Sequence, residues 1–306
     1  MNKRTLAGLV LVLAILSIPL ALAAQRPRQS ALHRTGPKVA VLELVGTIAD
    51  VTDPALTPSG GGLRKLLDDL AEVRKDPQYV AVVLRINSGG GSAAASQEIH
   101  RAISKVREAG KPVVVSMGDV AASGAFYAAV AADEIFANPS TITGSIGVLA
   151  QYFDASELAE KYGVKLETVK TGPYKDIGNP TEPLTEEQRA LIQSVVDDSL
   201  DHFVAAVAEG RGLEEEFVRR VADGRILTGS QALELGLIDA FGGLEEAVAR
   251  AWELAGQEGE PRVARFEERK PWLARYLGFL AGEPALGELD LLRRLLSDER
   301  GVRIRY

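Results

Sequence analysis

Ser123 stands in the stretch Asp119-Val120-Ala121-Ala122-Ser123-Gly124-Ala125-Phe126-Tyr127, after an apolar run of strand type and at the start of an Ala-rich run of helical type. A turn of small residues lifts a hydroxyl clear of its surroundings. The free N–H groups of a helix start point toward whatever that hydroxyl attacks. Acyl transfer needs such a nucleophile, a base to take its proton, and donors for the oxyanion. The usual base beside serine is histidine, and the chain has His33, His100 and His202. His100 falls mid-helix in Gln97-Glu98-Ile99-His100-Arg101 and reads as an ordinary half-exposed helix position. His202 follows Asp201 on a long amphipathic helix, so a pairing with Ser123 is conceivable but not favoured. The GxSxG elbow is not matched, because Ala121 and Ala125 take both glycine places.

A lysine can replace the histidine if it is neutral. The free lysine pKa of about 10.4 must then fall toward about 7–8, which burial against apolar walls achieves by disfavouring the charged form. Lys175, in Lys170-Thr171-Gly172-Pro173-Tyr174-Lys175-Asp176-Ile177, is the candidate, although on its own it reads as an exposed loop lysine. Gly89-Gly90-Gly91 follows a strand and opens a helix, the context of a phosphate loop. No Lys-Ser/Thr pair follows it and GxGxxG is absent, so nucleotide binding is not supported. Three glycines there serve equally to let backbone approach closely and to offer N–H groups.

Composition narrows the classes further. The 306 residues are 46% hydrophobic and 25% charged, which is globular composition. The net charge of −7 without a dense basic stripe argues against nucleic acid. With no cysteine, disulfides, iron–sulfur clusters and cysteine catalysis are excluded. No HExxH or HxH spacing exists, so neither a zinc site nor any other metal or cofactor is expected.

The elements that must position these residues follow from periodicity. Lys3 and Arg4 precede an apolar run from Leu6 to Ala24, long enough to span a bilayer core of about 30 Å, and their charge keeps the N-terminus cytoplasmic. Residues 1–24 therefore read as a signal anchor. Cleavage after Ala21-Leu22-Ala23 is the competing reading. Residues 25–37 form a polar linker. Strands are expected at Lys38–Leu44, Val80–Ile86, Pro112–Met117, Glu134–Ala137, Ile146–Leu149 and Leu166–Val169. Helices are expected at 63–75, 93–109, 186–208, 213–222, 229–236 and 243–255. Strand and helix in alternation imply an α/β fold with a mostly parallel sheet. The residues from 257 to 306, Arg/Glu-rich with interleaved Leu and aromatics, read as a helical extension to a domain spanning 38–256.

Four motifs in order resemble the signal peptide peptidase A family in its short bacterial form. They are Arg85-Ile86-Asn87-Ser88-Gly89-Gly90-Gly91, Met117 to Tyr127, Thr143-Gly144-Ser145-Ile146-Gly147-Val148, and Lys170 to Ile177. The resemblance covers about Lys38 to Arg250. It implies the crotonase/Clp-protease-like spiral of parallel-sheet ββα units and a Ser123/Lys175 dyad with Ser145 orienting the lysine. It also implies oxyanion donors at the backbone N–H groups of Gly90 and Gly124. The implied protein is a membrane-anchored, extracytoplasmic serine endopeptidase that degrades residual signal peptides and similar apolar peptides. It forms homo-oligomers, an octamer by analogy, with sites shared between subunits. One departure is Gly89, where the family has proline, which makes the loop costlier to order. A crotonase-type acyl-CoA enzyme and a non-catalytic scaffold are the alternatives. The translocated anchor argues against the first, and intact Ser123, Ser145 and Lys175 against the second.

Overall fold

The computed structural model describes residues 36–50 and 62–266, together with the backbone of 304–305. The segment expected as an anchor at 1–24, the expected linker up to residue 35 and most of the expected C-terminal extension lie outside the described residues. Among the described residues no helix is long and apolar enough to cross a membrane.

The frame is a mixed α/β fold on a mostly parallel sheet. Strands β1 (Lys38–Val45), β2 (Tyr79–Ser88) and β3 (Val113–Ala122) lie side by side and parallel, linked by helices α1 (Gly62–Lys75) and α2 (Ala93–Glu108). Alternate residues of each strand feed two separate cores. Ala40, Leu42, Val82, Leu84, Val113 and Val115 face α1 and α2. Val39, Val41, Ala81, Val83 and Val114 face Ala247, Val248, Ala251 and Trp252 of helix α8 (Leu244–Leu254). Burial on both faces is why these strands read as continuous apolar runs. α1 meets the sheet with Leu63, Leu66, Leu70 and Val73, the 3-4 spacing of one helical stripe.

β3 is longer than the expected Pro112–Met117 strand and runs on to Ala122. Its first half pairs with β4 (Glu134–Ala137) and its second half with β5 (Ile142–Gly144). The polar-looking Gly118-Asp119-Val120 stretch stays extended because the Asn87 side-chain oxygen accepts from the Val120 N–H (3.1 Å) and Ser88 pairs with Ala121 across an irregular register. β7 (Ile226–Thr228) joins β5 antiparallel, and β8 (Ala240–Phe241) joins β4 parallel.

Three expectations need correction. In place of one strand over 146–149 there are β5 and the short β6 (Leu149–Ala150), which pairs antiparallel with β10 (Ile304–Arg305). Residues 166–169 form no strand; Leu166 and Val169 are exposed, and the segment finds no partner among the described residues. In the extension expected to be helical, Val263–Arg265 is strand β9, parallel to β1. An open sheet edge of unpaired backbone outweighs helical propensity there.

The expected long helix is α5 (Glu186–Arg211). A capping box of Thr185 and Gln188 starts it, and Gly212, at φ 63, stops it. Only its C-terminal half is buried, through Phe203, Val204, Ala206, Val207 and Ala208. Helix α4 (Ser156–Tyr162) buries nothing. Short helices α6 (Glu215–Val221) and α7 (Gly229–Glu234) follow it.

Candidate active site

Ser123 is the joint between β3 and helix α3 (Gly124–Ala129). It sits at φ 56, ψ −125, a conformation that a residue with a side chain rarely adopts. Such strain costs on the order of 1–3 kcal/mol and persists where the surroundings over-determine it. Here they do. The Ser123 N–H donates to Gly144 O (2.8 Å), its carbonyl accepts from the Tyr127 N–H (2.9 Å), and every residue of α3 is buried. The side chain makes no capping hydrogen bond, so its hydroxyl is not spent on the helix end. Ser123 is 7% exposed.

Two of the other motifs converge on this turn. The bond to Gly144 brings Thr143-Gly144-Ser145 alongside Ser123. Ser145 is itself at φ 50, held by its N–H donating to Arg225 O (2.8 Å). The glycine loop lies directly against the turn. A Cβ on Gly90, whose φ is 92, would stand 2.6 Å from the Gly124 nitrogen and 2.9 Å from Ser123 Cβ. A Cβ on Gly124 would stand 3.3 Å from the Gly91 nitrogen. Backbone contact and the positive φ therefore require glycine at 90, whereas a Cβ on Gly124 would chiefly meet the Ser96 hydroxyl.

The Gly90 N–H, expected as an oxyanion donor, already donates to Ser88 Oγ (3.1 Å). Gly124 is the first residue of its helix, where the N–H has no intrahelical acceptor. The Gly91 N–H, which sequence reasoning passed over, sits on the Gly124 side of the loop. Its signal was present in the sequence as the third glycine of the run.

Within the described part of one chain no hydrogen bond joins Lys175 to Ser123. Lys175 lies in a run of turns, exposed, its N–H donating to Gly172 O (3.3 Å), and it makes no hydrogen bond to Ser145. The other lysine of that motif, Lys170, is bound to Asp176 (2.7 Å), which holds the Asp176 carboxyl below its ordinary range. His100 and His202 do not serve Ser123. The His100 ring packs at a tilt against Tyr127 (5.2 Å between centroids), which packs likewise against Phe203 (5.1 Å), and burial lowers the His100 pKa. His202 faces solvent beside Asp198 (3.7 Å). Among the described residues no cluster of three or more His, Asp or Glu is placed to hold a metal ion.

A buried, strained serine at a strand-to-helix joint, faced by a glycine loop on a parallel sheet, is an arrangement suited to acyl transfer. Comparison with known proteins specifies the class. Residues 105–258 match the model of peptidase family S49. A Synechocystis sp. protein provisionally named a protease is 40% identical over 80% of this chain and 84% of its own length. Protease 4 of Salmonella typhi is 38% identical over 72% of this chain, and the chloroplastic serine protease SPPA of Arabidopsis thaliana is 36% identical over 76%. This chain spans 35% of each of the latter two proteins. The chain belongs to peptidase family S49 and is a serine peptidase of the signal peptide peptidase A kind.

Proposed function

We propose that the protein is a membrane-anchored endopeptidase that cleaves residual signal peptides and other apolar peptides through a Ser123/Lys175 dyad. The observation that carries this reading is the strained Ser123 turn with the glycine loop pressed against it. In the proposed reaction Ser123 Oγ attacks the peptide carbonyl carbon while neutral Lys175 Nζ accepts its proton, with Ser145 orienting the amine. The oxyanion is held by backbone N–H groups. Gly124 supplies one. Gly91 supplies the other in place of Gly90, whose N–H is engaged by Ser88. Lys175 then returns the proton to the leaving amine, and water, deprotonated by Lys175, releases the acyl group from Ser123.

The lysine requires a second copy of the chain. Lys175 belongs to a segment whose apolar side chains Phe153, Leu158, Tyr162, Val164, Leu166 and Val169 are exposed. An apolar run of that extent marks an interaction surface. A neighbouring copy covering it would exclude water from the amine and favour the neutral base. Shared sites between subunits of a ring, an octamer by family resemblance, and the spiral fold of the crotonases and Clp protease belong to the same reading. So do the anchor at 1–24 and an extracytoplasmic catalytic domain that begins near 38 and, with β9 in its sheet, runs past 256.

The test is a fluorophosphonate probe and a quenched apolar peptide. Wild type labels at Ser123 and turns over the peptide; Ser123→Ala and Lys175→Ala each lose about 10³-fold or more in kcat. Undiminished turnover in Lys175→Ala would remove the lysine from the mechanism.

A further inference from the structure

We propose that the Ser88 hydroxyl is a positioning group for the peptidase reaction: it locks the glycine loop beside Ser123, a task that Gly89 cannot perform. The inference rests on the Ser123 site described above and concerns a residue outside the dyad and the oxyanion donors.

Ser88 ends β2 and is 2% exposed. Its Oγ donates to Gly46 O (2.6 Å) and accepts from the Gly90 N–H (3.1 Å). The hydroxyl thus spends its one proton on the β1 side and a lone pair on the loop. On the other side of Gly90, its carbonyl accepts from the Ile48 N–H (2.9 Å), and the Ser92 N–H donates to Ile48 O (2.8 Å). The two peptide planes flanking Gly90 are therefore held separately, the first by Ser88 and the second by Ile48. In a trans peptide the carbonyl and the following N–H point in opposite directions. Holding the Gly90 carbonyl on Ile48 aims the Gly91 N–H away from Ile48, on the side where Gly124 lies.

Fixing both planes fixes the Gly90 φ of 92, a value open to glycine and to few other residues. A run of three glycines has the greatest backbone freedom to lose, and a Cβ on Gly89 would touch nothing within 4 Å. Packing therefore does not restrain residue 89, and the Ser88 hydrogen bond takes over that restraint. Without it the buried Gly90 N–H has no acceptor, and the first plane is free to turn.

The experiment compares wild type, Ser88→Ala and Ser88→Ala/Gly89→Pro for kcat and KM on a quenched apolar peptide, with melting temperature recorded for each. Proline at 89 removes freedom directly and needs an extended residue before it, which Ser88 in β2 already is. Ser88→Ala is expected to lose about ten- to a hundredfold in kcat, up to the scale of a lost oxyanion donor, with KM within about twofold. Adding Gly89→Pro is expected to recover about threefold or more, which a merely structural role for Ser88 does not produce. Wild-type kcat in Ser88→Ala, or no recovery in the double variant, overturns the proposal. If Ser88→Ala does not fold, Ser88→Cys, close in size and a weak hydrogen-bonding group, takes its place under the same criteria. Fluorophosphonate labelling of wild type separates the two levels. No labelling at Ser123 refutes the catalytic site itself, whereas labelling with an unimpaired Ser88→Ala refutes the role of Ser88 alone.

Discussion

Replacing Gly90 with alanine tests the contact between the glycine loop and the nucleophile turn. The added methyl meets backbone, the Gly124 nitrogen at 2.6 Å and Ala122 O at 2.9 Å, as well as Ser123 Cβ at 2.9 Å, so no side chain can swing away to admit it. The φ of 92 adds strain of about 1–2 kcal/mol for a residue with a Cβ. Overpacking adds about 1–3 kcal/mol. If the loop stayed in place the cost would be about 2–5 kcal/mol, and the melting temperature would fall by on the order of 10 °C. The loop can avoid much of that by withdrawing from Ser123, at the expense of catalysis. A retreat of the donor costs about 10²–10³ in kcat. The expected Gly90→Ala protein is therefore folded, moderately destabilised and nearly inactive. Scanning calorimetry reads the first quantity and peptide hydrolysis the second. Gly89→Ala is the control, because nothing lies within 4 Å of its Cβ and its φ is outside the left-handed region; its rate should stay within about threefold of wild type. Gly90→Ala with a rate that close to wild type would refute the argument that the loop belongs to the site.

Burial lowers the His100 pKa below its ordinary 6.5, with Arg101 and Arg107 reinforcing the effect and Glu209 opposing it. The folded protein then resists a proton that the unfolded chain accepts, so this stabilisation is complete above about pH 6.5 and is lost as pH falls through the folded value. His100→Gln should flatten that acid limb in urea melts between pH 7 and 5; an unchanged slope refutes the assignment. Phe203→Ala removes a fully buried ring packed against Tyr127 and should cost about 3–5 kcal/mol by urea denaturation, freeing α5 from α3. A cost under about 1 kcal/mol means that the ring does not anchor the helix. Phe153→Glu, at a position 77% exposed, should change the stability of the single chain by no more than about 0.5 kcal/mol while shifting the assembly toward smaller species in light scattering. An unchanged particle mass excludes that face from the subunit contact.

What the sequence determined by itself is local. The runs at 38–44 and 80–86 gave strands because both of their faces are buried, and the stripe of Leu66, Leu67, Leu70 and Val73 gave a helix because its period matches one face, buried at all but the half-buried Leu67. Ser123 was legible as a strand-to-helix joint, since small residues there separate an apolar run from an Ala-rich one. The glycine run 89–91 was legible as a place of close backbone approach. The tertiary structure alone decided what meets what. That Gly90 touches the Ser123 turn, that Ile48 clamps the loop, and that Ser88 rather than solvent receives the Gly90 N–H depend on residues brought together by strand pairing. Apolar residues likewise do not make a strand on their own: 166–169 lacks a partner for its backbone among the described residues, whereas 263–265 pairs with the edge of β1. Periodicity records how one segment is buried, but a hydrogen-bonding partner is a property of two segments. The proposed role of Lys175 likewise rests on a third party, a surface from another chain that neither segment supplies.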